Sequence, residues 1–380
     1  MKENREIIGF IREVFKTDNF IPLHAPIFSG NEKNYLIDCI DSTYVSSVGP
    51  FVDRFEKDIT KFSGTNYAVA VVNGTTGLQV ALQVVGVENG NEVITQALSF
   101  VATSNSIHFA GAKPIYVDVD YDTMGMSPKS LLNFLETNAE IKEEQCFNKS
   151  SGKRIGACMP MHTFGFPCRI DEISLICKEW CIPLIEDAAE ALGSEYKDRK
   201  IGSFGELAVF SFNGNKIVTA GGGGVIVTNN EKLAKNAKHL TTTAKLPHSY
   251  EFIHDEIGYN FRMPNVNAAL ICAQLEQLDS FIENKRKLAH TYSDYFQSNP
   301  LFRKELKETK ANYWLNCIEF NDLHERNAFL DESNKEGVMT RPIWTLSYLL
   351  PMYKDCQKDL QENAIKLYER IVNIPSSVRI

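Results

Sequence analysis

From Tyr67 onward, short apolar runs rich in β-branched residues alternate with stretches whose apolar positions recur at helical spacing. Tyr67-Ala-Val-Ala-Val-Val72 predicts a buried strand, and Leu78, Ala81, Leu82 and Val85 predict the helix that follows it. Glu92–Thr95 and Pro114–Val119 are further strands, separated by a helix over Val101–Ala110 that Ser99 opens. Ser127-Pro128 starts another helix, since proline is tolerated in a first turn. Residues 139–154 are polar and contain Ser150-Ser-Gly152, which marks a surface excursion of hairpin type. Strand patterns return at Ile155–Met161, Pro183–Asp187, Leu207–Phe212 and Gly224–Thr228, with a helix over Asp171–Trp180. This alternation predicts an α/β protein with a mostly parallel sheet covered on both faces.

Outside that block the pattern changes. The first residues read as an amphipathic helix through Phe15, giving an N-terminal helical arm over residues 1–20. After Leu240 the chain becomes helix-rich, with one long amphipathic stretch from Asn265 to Thr291. The expected organisation is a large domain over residues 21–245 and a smaller C-terminal α+β domain over 246–380.

Composition narrows the class without naming a chemistry. The 380 residues are 43% hydrophobic and 23% charged, ordinary values for a globular protein. A formal net charge of −8 gives no electrostatic reason to expect nucleic acid as a partner. No run reaches the roughly 18 apolar residues of a membrane-spanning helix, and the N-terminus lacks the pattern of a secretory signal. The nine cysteines are odd in number and scattered, so half-buried thiols are expected rather than a disulfide framework. Cys177 and Cys181 lack the second pair that a zinc site needs, and no metal is expected. The two N-x-S/T matches at Asn73 and Asn148 carry little weight without an export signal, and a cytoplasmic location is expected.

Three segments place polar residues at predicted strand ends, where open α/β sheets bind ligands. In Asn73-Gly74-Thr75-Thr76-Gly77, glycines allow close approach, a helix N-terminus offers N–H groups and the threonines add hydroxyls. That set could cradle a phosphate, or it could be an ordinary strand–helix turn with a threonine cap. Asp187 ends an apolar strand, where a carboxylate is costly unless it meets a cation or several donors. A protonated pyridine nitrogen would be such a cation; a capping or metal-binding role is the plainer alternative. Lys216 follows Ser211-Phe-Asn-Gly-Asn215 and precedes Gly221-Gly-Gly-Gly224, in a loop between two buried strands. A lysine in a tight site can form an imine with an aldehyde, whereas an exposed one is merely solvated.

The order cradle, acid, lysine is the informative feature. Together with Glu186-Asp187-Ala-Ala-Glu-Ala-Leu-Gly193, Gly258-Tyr-Asn-Phe-Arg-Met263, Ala268-Ala269 and Gln274-Leu275, it resembles the DegT/StrS family of nucleotide-sugar aminotransferases. The resemblance spans about Ile21 to Pro375 and implies a fold type I transferase using pyridoxal 5'-phosphate (PLP). It implies that Lys216 carries the cofactor and that Asp187 pairs with its ring nitrogen. Gly74, Thr75, Thr76 and Ser211 would then hold the phosphate, and Phe100 would stack on the ring. Asn260 would reach the phosphate from a neighbouring subunit, making a homodimer with shared active sites.

Two positions depart from the family pattern. Glu190 stands where Gln or His is common and would alter the charge beside the ring, and Gly221–Gly224 replaces Gly-Glu-Gly-Gly. The family includes dehydratases with histidine in place of the lysine, so Lys216 favours transamination, with L-glutamate as the usual donor. Segments 161–165, 241–248 and 338–344 look closest to the branch making legionaminic-acid and bacillosamine-type precursors, with GDP-perosamine synthases as near neighbours. Both branches aminate C-4 of a nucleotide-linked 4-keto-6-deoxy sugar, and the expectation leans to a UDP-linked 2-acetamido sugar. His162, Lys245 and Arg341 are candidate substrate contacts.

Rival chemistries lack their context. The Gly221–Gly224 run precedes a strand rather than a helix, so it fails as a dinucleotide-binding turn, and no phosphate-binding G-x-x-x-x-G-K-[ST] occurs. A non-catalytic regulator of the same fold would be expected to lose Lys216 or Asp187, and both are present.

Overall fold

The computed structural model describes residues 3–379. Its centre is a sheet of strands β1 Tyr67–Val71, β2 Glu92–Gln96, β3 Lys113–Val117, β4 Ile155–Met159, β5 Ile185–Asp187, β6 Leu207–Ser211 and β7 Gly224–Thr228. One ladder runs β1-β7-β6-β5 and another β3-β2-β4. Parallel bridges from Cys158 to Leu184 and from Met161 to Asp187 join the two. Only β7 runs antiparallel to its neighbours β1 and β6. Every other strand therefore delivers its carboxyl end to the same edge of the sheet.

The strands are apolar because both faces are covered. Val93, Ile94, Ile185, Val209 and Ile226 are all buried, packed between helices such as Gly74–Val84 on one side and Pro50–Ser63 on the other. Between residues 139 and 148 the expected hairpin forms from Ala139–Lys142 and Gln145–Asn148. Glu143 and Glu144 turn it with φ of 50° and 58°, a two-residue turn whose twist suits a hairpin.

Two sequence expectations change. The stretch from Asn265 to Thr291 is two helices, Asn265–Leu275 and Leu278–Tyr295. The first is buried nearly all round, so it is a central helix rather than a surface one. The break falls where Glu276 and Gln277 turn their side chains outward: Glu276 accepts from Tyr35, Asn31 and Arg54, and Gln277 donates to Glu32. Ser99 does not cap the next helix either; Phe100 occupies the cap position, and the Ser99 hydroxyl lies 2.6 Å from that of Thr103.

Toward the C-terminus a second, antiparallel sheet orders β8 Leu301–Phe302, β9 Asn316–Glu319, β11 Ile371–Ile374 and β10 Arg341–Pro342. The chain entering β9 carries Trp314, and the chain leaving β10 carries Trp344. All nine cysteines are free thiols, and only Cys181 is exposed. No described helix is long and apolar enough to cross a membrane.

Candidate active site

At the carboxyl edge of the main sheet lies a cleft of about 390 Å³. Gly74, Thr75 and Ser211 line it together with Asp187, Lys216, Phe100 and Glu190. Residues far apart in sequence meet here because parallel strands end together.

The cradle end is shaped by close approach. A Cβ added to Gly74 would stand 3.1 Å from Ser211 Cβ, a tight contact that glycine avoids as the two segments approach. Asn73 caps the helix Gly74–Val84, its side chain accepting from the Thr76 N–H at 2.9 Å. The first-turn N–H groups of Gly74 and Thr75 have no partner within the helix and face the anion-favouring end of its dipole. Thr76 differs from the sequence expectation: its N–H and hydroxyl are both engaged with Asn73, and it does not line the cleft.

The glycine run behaves unevenly. At Gly224 a Cβ would meet Asn73 backbone at 2.5 Å, and Gly223 has a φ of +132°. At Gly222 the nearest atom to such a Cβ is 3.8 Å away, so a side chain fits there. Loss of the family's glutamate within this run therefore leaves the tight contact with Asn73 intact.

Asp187 is buried at the end of β5. Its carboxylate accepts from the Thr103 hydroxyl at 2.7 Å and from the Ala189 N–H at 3.2 Å. Burial pushes this carboxyl up, and those two donors together with Lys216 and His162 only partly oppose it. The neighbouring Glu186 faces the other way. Burial works to raise it, but His162 and the backbone N–H groups of Gly202 and Gly205 outweigh that and hold it below its ordinary value.

Lys216 lies between a carboxylate and an aromatic face. Its Nζ is 3.1 Å from Glu190 Oε1 and 3.8 Å from the centre of the Trp314 ring. Glu190 is buried, which pushes its carboxyl up to about 7 against the pull of Lys216. Its other oxygen accepts from the Phe164 N–H at 2.9 Å. Trp344 closes the cleft, with its ring centre 4.8 Å from that of Phe164 and 6.4 Å from that of the half-exposed Phe100.

Besides Thr76, four predicted site residues are not brought to the cleft wall. His162 is fully buried beneath it and bonded to Glu186, so it presents no surface to a substrate. Lys245 lies over the Phe252 ring at 3.8 Å, and Arg341 donates to Asn334 and to the Thr340 carbonyl. Asn260 is exposed and accepts from Arg262.

Sequence reasoning missed Thr103, Phe164, Trp314 and Trp344. A local signal existed for Thr103 alone, since it stands three residues after Phe100 on the same helical face.

The comparisons with known proteins agree with this geometry. The model of the DegT/DnrJ/EryC1/StrS aminotransferase family matches residues 26–380. The GDP-perosamine synthase of Escherichia coli O157:H7 is 36% identical over 357 residues, covering 94% of this chain and 93% of that protein. The GDP-perosamine synthase of Vibrio cholerae is 32% identical over 360 residues, covering 94% of each. In fold, the chain superposes on Helicobacter pylori PseC, an aminotransferase involved in pseudoaminic acid biosynthesis, with a TM-score of 0.85, 23% identity and 94% of each chain covered. The Streptoalloteichus hindustanus aminotransferase TlmJ gives a TM-score of 0.85 at 24% identity, again over 94% of each chain. The chain belongs to the DegT/DnrJ/EryC1/StrS aminotransferase family and is a PLP-dependent nucleotide-sugar aminotransferase.

Proposed function

We propose that the protein transfers an amino group from L-glutamate to C-4 of a nucleotide-linked 4-keto-6-deoxy sugar, alternating between donor and sugar in two half-reactions. A GDP-linked 4-keto-6-deoxymannose is the first substrate to try, because GDP-perosamine synthases match over 94% of the chain. A UDP-linked 2-acetamido-2,6-dideoxy-4-keto sugar is the second, carried by segments 161–165, 241–248 and 338–344.

The observation that carries this reading is the cleft in which Lys216, Asp187 and the Gly74–Ser211 cradle meet. These residues fit PLP. A buried carboxyl raised by desolvation, with one hydroxyl and one N–H for partners, is completed by a protonated ring nitrogen. The narrow approach of Gly74 to Ser211, with unpaired first-turn N–H groups, suits a phosphate. When bound, PLP supplies an electrophilic carbon and an electron sink. Asp187 would hold the ring nitrogen protonated, and Thr103 would orient that carboxylate. Lys216 Nζ would anchor the cofactor and then, as a free amine, move the proton at the amine-bearing carbon of the substrate. Phe100 and Trp344 would exclude water from that carbon.

The reading extends to assembly. A homodimer in which Asn260 serves the neighbouring cleft accounts for its exposed position outside its own. Three residues before it in the chain, Ile257 is 87% exposed. The smaller domain is taken to begin near residue 245, and beyond it lie Trp314 and Trp344.

The test begins with an absorbance spectrum of the purified protein. A yellow band lost in Lys216→Ala and bleached by glutamate is expected; a colourless protein after PLP is added would sink the cofactor assignment. GDP- and UDP-linked 4-keto-6-deoxy sugars are then offered separately, and the product mass shows which is aminated. For the dimer, Lys216→Ala and Asn260→Ala variants, each inactive, are mixed; recovered activity is expected if clefts are shared and none if they are not.

A further inference from the structure

The sequence departs from its family at Glu190, and the fold treats that carboxylate as something to be held in one place. Its backbone carbonyl accepts from Asn312 Nδ2 at 2.8 Å, while the same amide also bonds the Leu192 carbonyl at 2.9 Å. Its Oε2 accepts from the Phe164 N–H, and Phe164 reaches that geometry with a φ of +56°, unusual for an aromatic residue. A Cβ on the next residue, Gly165, would fall 1.9 Å from Asn312 Oδ1 and 3.0 Å from the Glu190 carbonyl, so the turn can close only on glycine. The Phe164 N–H thus holds one carboxylate oxygen, while Asn312 and the Gly165 turn hold the backbone that carries it.

What they aim is the remaining oxygen, Oε1, 3.1 Å from Lys216 Nζ. On another side the ammonium meets the Trp314 ring, itself fixed by an indole N–H donating to the Asn215 carbonyl at 2.7 Å. An anion and a π face on two sides make a cation site. Resting on the reading above, we propose that Glu190 and Trp314 form a berth that holds the amino group of Lys216 when that amine is neither bonded to the cofactor nor moving the substrate proton. Glu190 is then a positioning residue. A transaminase must release its lysine in each half-reaction and recover it, so a defined place for the released amine keeps it within reach of the cleft.

Other charges face the pair. Asp187 acts on both members from the end of β5, and His24 faces Lys216 from the N-terminal segment. Beyond them His162 acts on Asp187 and Lys285 on His24. Glu190 is the one in hydrogen-bond contact with Nζ.

The experiment uses the full-length protein freed of cofactor and needs no turnover. Lysines are methylated with formaldehyde and a mild borohydride at neutral pH, and the Lys216 peptide is followed by mass spectrometry. An amine held against Oε1 and covered by the indole face is shielded, so a berthed Lys216 is slow to react. Glu190→Gln keeps an acceptor for the Phe164 N–H and removes the charge that holds Nζ; it should speed labelling of Lys216 several-fold. Trp314→Leu should speed it less, and serves as the test if Glu190→Gln does not fold. Unchanged or slower labelling in a folded variant overturns the berth. So does faster labelling shared by the buried Lys285, which would reflect general loosening. Because the readout is labelling in cofactor-free protein, a failure of the sugar reading would leave a positive result standing.

Discussion

The two walls of the cleft were assembled in different ways. One wall, with Gly74, Thr75, Asp187, Ser211 and Lys216, is made from the ends of β1, β5 and β6 and the loops that leave them. Its residues come from three short segments whose spacing follows the strand–helix repeat. The other wall is Trp314 and Trp344, carried on chain that packs against the site from beyond residue 245, with Phe164 behind them. The first supplies charge and donors; the second supplies aromatic faces. The sheet thus brings the polar groups to the cleft, while the two indole faces come from a separate part of the chain.

If that division is right, breaking the sheet wall should stop chemistry and breaking the aromatic wall should weaken binding. Asp187→Asn keeps the shape and removes the charge that would hold a ring nitrogen protonated. Its turnover is expected to fall about 10²-fold or more with the cofactor still seated, checked by kcat beside the absorbance of the bound cofactor. A fall confined to KM would reverse the assignment of the walls.

A smaller effect joins the walls at Glu190. In the fold this acid is pushed to about 7 by burial, from an ordinary value of 4.5. Between those values the folded chain holds a proton that the unfolded chain has released. The contribution to stability is therefore complete below the ordinary value and is lost as the pH rises through about 7. In cofactor-free protein, Glu190→Gln should lose less stability than the parent between about pH 5 and about pH 8, by a difference on the order of 2 kcal/mol or less. Denaturant unfolding at both pH values measures it, and identical pH slopes would show that Glu190 is not the group titrating.

The mildest change belongs to the aromatic wall. Trp344→Leu should raise KM for the keto sugar several-fold, roughly 1 kcal/mol, while leaving the glutamate half-reaction near its original rate. Equal losses in both half-reactions would place Trp344 in the chemistry instead.

How much of this could be read along the chain follows from the same contrast. The strands, their order of appearance and the polar residues at their ends were legible, because period-2 and period-3.6 patterns are local. The split of the Asn265–Thr291 stretch was not, since Glu276 and Gln277 break it through partners more than 200 residues away in sequence. Nor was the burial of His162, whose polarity is satisfied by Glu186 under the cleft rather than by a ligand in it. Where Lys245 and Arg341 sit, over the Phe252 ring and beside Asn334, was not legible either, because a cation in sequence carries no direction.

By itself, the sequence determined the parallel core, the cradle–acid–lysine order and, through its motifs, the family. Tertiary structure alone decided that Lys216 lies between Glu190 and Trp314, that a left-handed Phe164 donates to that carboxylate, and that Thr76 faces its own cap. The reason is physical. A strand or helix pattern is written by neighbours a few residues apart, whereas a charge acquires its partner from whatever surface the fold brings within about 4 Å of it.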